Sequence, residues 1–126
     1  MSKYKQIKTL IIDETKWANG SNKKVALLLT NSGNMCCLGF LSKACGFKNK
    51  QLLNEAFPIS ILIKDRSLSK FDFPKKVINS LGILSDWEIK ASNINDSKIF
   101  SNVKRKSLLR EHFKQIGIKL IFKRSK

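Results

Sequence analysis

The residues with the strongest intrinsic chemistry are three cysteines, Cys36, Cys37 and Cys45, which lie close together in the chain. A thiolate can bind a metal ion or attack a substrate. On a helix, Cys37 and Cys45 would stand about 12 Å apart, too far for one zinc ion with sulfur ligands at about 2.3 Å. We therefore expect no metal site, and we expect Cys37 and Cys45 to be small buried hydrophobic residues. An odd number of cysteines in one element also predicts no disulfide framework.

Cys36 is the one thiol to which the sequence assigns potential reactivity. It lies at the start of a predicted helix, where the helix N-terminus lowers a thiol pKa. A cysteine nucleophile also needs a base, and the single histidine, His112, lies beside Leu109 and Phe113, a position typical of a structural histidine. The chain has no glycine-rich phosphate loop, HExxH motif or GxSxG motif. We therefore predict no catalytic residue, no cofactor and no enzymatic activity, with Cys36 as the candidate reactive thiol.

Basic side chains are the second chemical feature. The chain has 25 lysines and arginines and 9 acidic residues, a formal net charge of +16 at pH 7. Lys106, Arg110 and Lys114 recur every four residues, so they form a stripe on one face of a predicted helix. Such a stripe suits contacts with phosphate groups, which supply affinity without reading a base sequence. The candidate residues for binding nucleic acid or phosphate are Lys104, Arg105, Lys106, Arg110, Lys114, Lys119 and Lys123.

The charge also has a second explanation. Only four of the 25 basic residues are arginine, and isoleucine and asparagine are abundant, a composition typical of proteins from AT-rich genomes. The function would then rest on a protein partner, with an apolar surface around residues 36–46 self-associating or inhibiting an enzyme. Our first hypothesis is a protein that binds a polyanion: nucleic acid, a complex loaded with nucleic acid, or a nucleotide signal. The sequence does not choose between DNA, RNA and a nucleotide.

Apolar patterns along the chain predict the elements that position these side chains. The sequence predicts one α+β domain over residues 1–126, with a small mixed sheet of about four strands packed with three to four short helices. Residues 59–63 form either a strand or a buried loop. The predicted strands are 7–13, 25–30, 87–91 and 118–123, and the predicted helices are 37–45, 50–56, 72–82 and 101–116.

Three residues in the first half of the chain carry more specific expectations. Trp17 should be buried, with a hydrogen-bond partner for its indole N–H. Gly39 lies inside a predicted helix, where glycine costs about 1 kcal/mol relative to alanine, so we expect a neighbouring backbone to approach it closely. Gly46 stands where a glycine in the left-handed conformation would end that helix.

The segment at residues 35–41, MCCLGFL, follows an apolar run and a turn at residues 32–34. It resembles a widespread set of small phage proteins known by a CCLG-type motif. Trp17 ahead of the run agrees with this set, and so does ASNIND at residues 91–96, which is similar to an (A/L)xxxND segment before a C-terminal helix. The chain departs from the set in its basic charge and in Ser42-Lys43, where acidic residues are frequent. The resemblance implies a phage-type accessory protein that disarms or redirects the host, and it implies no reaction. The partner would then be a nucleic-acid-loaded host complex or, in the alternative, a host enzyme that the protein inhibits.

The sequence also suggests where the protein works. No apolar run reaches the ~18 residues that a membrane span needs. Residues 1–13 lack the apolar core and cleavage site of a secretory signal. We therefore expect no membrane association and a cytoplasmic location, in the infected host cell if the protein is encoded by a phage.

Overall fold

The computed structural model describes residues 7–21, 27–58 and 85–124 of the chain. Within these ranges the chain forms two strands and four helices, a mixture that agrees with the predicted α+β class. In chain order they are β1 (Thr9–Asp13), α1 (Cys37–Ala44), α2 (Asn49–Leu52), α3 (Asp86–Asp96), α4 (Asn102–Lys114) and β2 (Lys119–Lys123).

Strands β1 and β2 pair in parallel, although they come from opposite ends of the described chain. Thr9 pairs with Lys119, and Asp13 pairs with Lys123. Side chains alternate between the two faces of the sheet, so Lys119 and Lys123 point away from the core. The residues that the sheet buries are Leu10, Ile12 and Leu120.

The helices cover the inner face of this sheet and build one core. Helix α1 packs on β1 and α3, and α4 packs on α3 and β2. Fully buried apolar side chains from every layer meet there, and their removal from water is the main driving force for this packing. The largest are Trp17, Phe113, Ile12, Leu28, Leu38, Leu41, Leu52, Leu109 and Ile118.

The predicted sheet of about four strands is not found in the described part of the chain, where the sheet has two strands. Residues 27–30, from the predicted strand 25–30, make one isolated bridge, Leu29 to Leu53, instead of a ladder. The segments 59–63 and 72–82, predicted as strand or loop and as helix, lie outside the described residues. The coarser prediction of a mixed helix and strand fold is confirmed.

The predicted strand at residues 87–91 is wrong, because these residues belong to helix α3. Ser85 begins the helix with a capping box: its hydroxyl accepts from the Glu88 N–H at 3.1 Å, and the Glu88 carboxylate accepts from the Ser85 N–H at 3.1 Å. The alternating apolar residues that suggested a strand also fit one buried face of a helix. Trp87, Ala91 and Ile94 are buried at helical spacing, while Ile89 between them is 38% exposed.

Helix α1 confirms the two glycine predictions. A Cβ on Gly39 would lie 1.9 Å from the carbonyl oxygen of Leu28, so this position requires a residue without a side chain. Gly46 has φ of 102°, the left-handed conformation that ends a helix. The apolar side chains of this helix are buried, except for Ala44 at its end, which is exposed. Helix α1 is therefore a buried element of the core.

The remaining helices differ from the prediction only at their ends. Helix α2 is shorter than the predicted 50–56, since it begins at Asn49 and ends at Leu52. Helix α4 lies within the predicted 101–116, with Ser101 as its cap. In the described ranges, the helices are too short and too polar to cross a bilayer.

Candidate functional site

The two motifs that carried the phage resemblance meet at one buried side chain, Asn95. Its Oδ1 accepts hydrogen bonds from the Trp17 indole N–H at 2.8 Å and from the backbone N–H of Cys37 at 3.1 Å. Its Nδ2 donates to the Ala18 carbonyl and to Asp96 Oδ1, both at 2.8 Å. All the hydrogen-bonding capacity of the amide is used inside the protein. The prediction of a partner for the Trp17 indole is confirmed, and these motif residues hold the core together.

Cys36 is not exposed as a reactive thiol should be. It is 5% exposed, and burial raises the pKa of its thiol to about 12. Backbone hydrogen bonds at the start of α1 act in the opposite direction, but burial outweighs them. The thiol is therefore protonated at neutral pH, and a protonated thiol is a poor nucleophile. Cys37 and Cys45 are also buried and unoxidised, as small hydrophobic residues are.

His112 joins two helices. Its Nε2 lies 2.8 Å from the Trp87 carbonyl oxygen, and the Trp87 indole N–H donates to the His112 carbonyl at 3.1 Å. The two rings stack with centroids 4.5 Å apart. Burial lowers the pKa of His112, the bond to Trp87 opposes this, and the charge of Lys90 lowers the pKa further. The ring is therefore neutral at neutral pH, and its role is structural. In the described part of the chain, no group of three His, Cys, Asp or Glu residues could hold a metal ion.

Arg105 must be removed from the predicted phosphate-binding set, because its side chain is fully buried. Its Nη1 donates to the carbonyl oxygens of Ile94 at 2.6 Å and Asn95 at 3.0 Å, at the end of α3. Its Nη2 donates to Ser21 Oγ at 2.9 Å and to the Phe100 carbonyl at 3.0 Å. Burial lowers the pKa of the guanidinium and the charge of Asp96 raises it. Arg105 therefore caps helix α3 and offers no donor to a ligand.

The predicted basic stripe of Lys106, Arg110 and Lys114 is present on α4, but other residues hold its members to different degrees. Lys106 is partly buried, forms an ion pair with Glu14, and lies over the Phe122 ring with Nζ 5.6 Å from the centroid. Arg110 is exposed, and its guanidinium carbon lies 5.2 Å from the same centroid. A cation held against an aromatic face loses little further conformational freedom when it binds an anion. Arg110 is thus the preorganised member of the stripe.

Arg110 opens onto a surface cleft of about 550 Å³, which we call the basic cleft. The apolar residues that line it, Ile118 and Leu120, are almost fully buried, and its charged residues are four cations and one carboxylate. Among the described residues, Lys8, Arg110 and Lys119 make no ion pair, and Lys114 makes a long one of 3.9 Å with Glu111. The full lining is Lys8, Arg110, Glu111, Lys114, Gly117, Ile118, Lys119 and Leu120.

The basic cleft brings together three of the seven predicted residues: Arg110, Lys114 and Lys119. Lys104 and Lys123 are exposed on the same helix and strand but do not line the cleft. They can contribute to the surrounding positive field. Lys106 is engaged by Glu14, and Arg105 is inside the protein.

Sequence reasoning missed Lys8, which completes the rim of the basic cleft. Lys8 comes just before β1, and its carbonyl accepts from the Lys119 N–H at 2.9 Å. The parallel pairing of the two end strands places it there. Both strands were predicted, so the missing signal was their pairing, which no pattern within either strand reveals.

The chain was compared with protein-family models, with curated proteins and with solved structures, and none of the three comparisons found a match.

Proposed function

We propose that this protein binds a polyanion, nucleic acid or a nucleotide, by holding phosphate groups in the basic cleft. The observation that supports this most is the convergence of Lys8, Arg110, Lys114 and Lys119, from three separate segments, on one concave surface. A scattered charge excess from genome composition does not by itself build a concave site. Lysine and arginine side chains are the usual partners of phosphate oxygens.

The chemistry of the basic cleft favours binding over turnover. Its lining contains one carboxylate, Glu111, and no histidine or cysteine that could act as a nucleophile. Arg110 can offer two parallel N–H groups to one phosphate, while the lysines act as mobile point charges around it. We therefore propose a binding protein without catalytic residues.

The alternative of a protein-binding surface on α1 has little support from the geometry. Cys37, Leu38 and Leu41 are completely buried, so they cannot offer an apolar surface to a partner. A role as a phage accessory protein, active in the cytoplasm of an infected host, rests on the resemblance of the motifs alone and remains part of the proposal.

The first experiment is a fluorescence anisotropy titration with labelled single-stranded and double-stranded DNA and RNA, at low salt and near physiological salt. We expect binding that survives physiological salt and falls at least about tenfold in the Arg110→Glu, Lys119→Glu double variant, because two phosphate partners become repulsive. Inorganic phosphate and ADP serve as competitors that report whether one phosphate group is enough to occupy the cleft.

The matched control is Lys50→Glu together with Lys48→Glu, two exposed lysines beside and within α2 that lie outside the basic cleft. This variant makes the same change in net charge and should retain most of the affinity. An equal loss in both double variants would mean that net charge alone drives binding, and the proposed site would be rejected. Failure to bind any of the probes would reject polyanion binding altogether.

A further inference from the structure

A second concavity lies next to the basic cleft, between helices α3 and α4. This α3–α4 groove has a volume of about 330 Å³. Its walls combine apolar side chains, Ile94 and Leu108, with the exposed cation Lys90, and buried His112 borders it. Its lining residues are Lys90, Ile94, Leu108, Glu111, His112, Lys114 and Gln115.

The two concavities share two residues, Glu111 and Lys114, which lie one helical turn apart near the end of α4. The side chains of these residues are 73% and 78% exposed, so they form a low ridge and not a wall. A ligand can therefore pass from the basic cleft to the α3–α4 groove over this ridge. Cations lie on both sides: Arg110 and Lys119 on one, Lys90 on the other.

Each concavity is of a size that holds one small-molecule unit, so the pair fits a ligand made of at least two linked units. The carboxylate of Glu111 on the ridge repels a phosphate placed directly above it. Successive phosphates would then lie on either side of the ridge, close to Lys114 and to the cations beyond. This pattern matches a chain of nucleotides better than a single one.

The shape of the two concavities indicates which form of nucleic acid fits. Their apolar lining is almost fully buried, since Ile118, Leu120 and Ile94 are 1%, 3% and 7% exposed, so the charged side chains provide most of the accessible contacts. A single strand is flexible and has one backbone, so it can follow a path that enters both concavities. A duplex is stiff and presents a convex surface with two backbones, so it cannot enter both concavities at once.

We infer that the ligand of this site is single-stranded nucleic acid, at least two nucleotides long, which crosses the Glu111–Lys114 ridge and is bound on its far side by Lys90. This inference rests on the proposed function and adds two claims to it. The ligand class is single-stranded, and Lys90 on α3 is a binding residue that no charge pattern within α4 indicates.

The test is a length series at pH 7.5 and fixed salt: a mononucleotide, a dinucleotide with a terminal phosphate, and single strands of three, six and twelve nucleotides, with a twelve-base-pair duplex for comparison. We expect affinity to rise at least about tenfold from one nucleotide to three, as the second groove becomes occupied. We expect the single strand of twelve to bind more tightly than the duplex.

The variants separate this inference from the proposed function. Lys90→Glu should weaken the hexanucleotide about five- to tenfold and leave the mononucleotide unchanged, whereas Arg110→Glu should weaken both. Lys50→Glu, on the exposed surface of α2, is the control with the same charge change.

Three results would overturn the inference. If the mononucleotide binds as tightly as the longer strands, the basic cleft is a pocket for a single nucleotide. The proposed function would then stand, and the inference of a longer single strand would fail. Tighter binding of the duplex, or equal effects of Lys90→Glu and Lys50→Glu on the hexanucleotide, would also overturn it. Loss of all binding would reject the inference and the proposed function together.

Discussion

Arg105 and Arg110 lie five residues apart on helix α4, and their surroundings are opposite. Arg105 is completely buried and donates to five oxygen acceptors, from the end of α3, the neighbouring loops and the start of α4. Arg110 is exposed, lies against the Phe122 ring and opens onto the basic cleft. On one side of the helix, Arg105 therefore stabilises the fold, and on the other side Arg110 has N–H groups that a ligand can reach.

This comparison extends to the two halves of the molecule. The core side contains the motif residues, with Asn95 and Gly39 fixed by contacts that tolerate no other side chain. The cleft side contains exposed cations that make few contacts within the protein, such as Arg110 against Phe122 and the long ion pair of Lys114 with Glu111. Substitutions should accordingly separate into those that change the free energy of unfolding and those that change ligand affinity.

The largest expected effect is the replacement of Arg105 by alanine. Removal of the guanidinium takes one donor from each of the Ile94, Asn95 and Phe100 carbonyl oxygens and creates a cavity, so the free energy of unfolding should fall by about 3 to 5 kcal/mol. Urea unfolding followed by circular dichroism measures this loss. Arg110→Ala is the control, and it should leave the unfolding midpoint unchanged while weakening nucleic-acid binding. Similar midpoints for the two variants would contradict the assigned roles.

A smaller effect is expected for Gly39→Ala. Helix propensity alone predicts a gain of about 1 kcal/mol, but the added Cβ would lie 1.9 Å from the Leu28 carbonyl oxygen. The backbone of residue 28 must move, so we expect a net loss of about 2 kcal/mol in the free energy of unfolding. A stabilised variant in the same urea experiment would show that α1 and residue 28 are not in close contact. Ligand affinity should not change.

The smallest effect is a pH dependence of stability that His112 causes. The folded pKa of His112 is lowered, mainly by burial, below the ordinary value of 6.5 found in the unfolded chain. The unfolded state therefore binds more protons at mildly acidic pH, so this contribution to stability is complete above about pH 6.5 and is lost as the pH falls below it. Unfolding curves between pH 8 and pH 5.5 measure the decline.

The chain contains one histidine, which makes the control direct. His112→Gln keeps a donor for the Trp87 carbonyl but removes the titrating group, so its stability should be flatter over the same pH interval. An equally steep decline in this variant would assign the pH dependence to other groups.

Sequence patterns predicted the local features of this protein better than its long-range pairing. The burial of Trp17, the close approach at Gly39 and the helix end at Gly46 all follow from residue types with one strong physical requirement each. The strand predicted at 87–91 failed because a spacing of two also places Trp87 and Ala91 four residues apart, which is equally a helical spacing. The Ser85–Glu88 capping box was the local signal that could have decided it.

The candidate site was only partly predictable for a related reason. The stripe of Lys106, Arg110 and Lys114 is visible in the sequence, but a stripe does not show which cations are exposed and which are buried. Arg105 has the same charge as Arg110, and its burial depends on the acceptors at the end of α3, which are distant from any charge pattern. Lys8 and Lys90 lie near the other cations only because the chain folds that way, so no pattern within one segment predicts their place in the site.

The parallel pairing of β1 with β2 has a consequence for how the protein is made. Thr9 leaves the ribosome long before its partner Lys119, which is synthesised 110 positions later. At ribosomal speeds of about 5 to 20 residues per second, β1 waits roughly 5 to 20 s for the strand that covers its edge. The basic cleft, which needs both Lys8 and Lys119, is assembled only after that wait. Under the proposed function, shortened nascent chains that end before β2 should therefore be unable to bind nucleic acid.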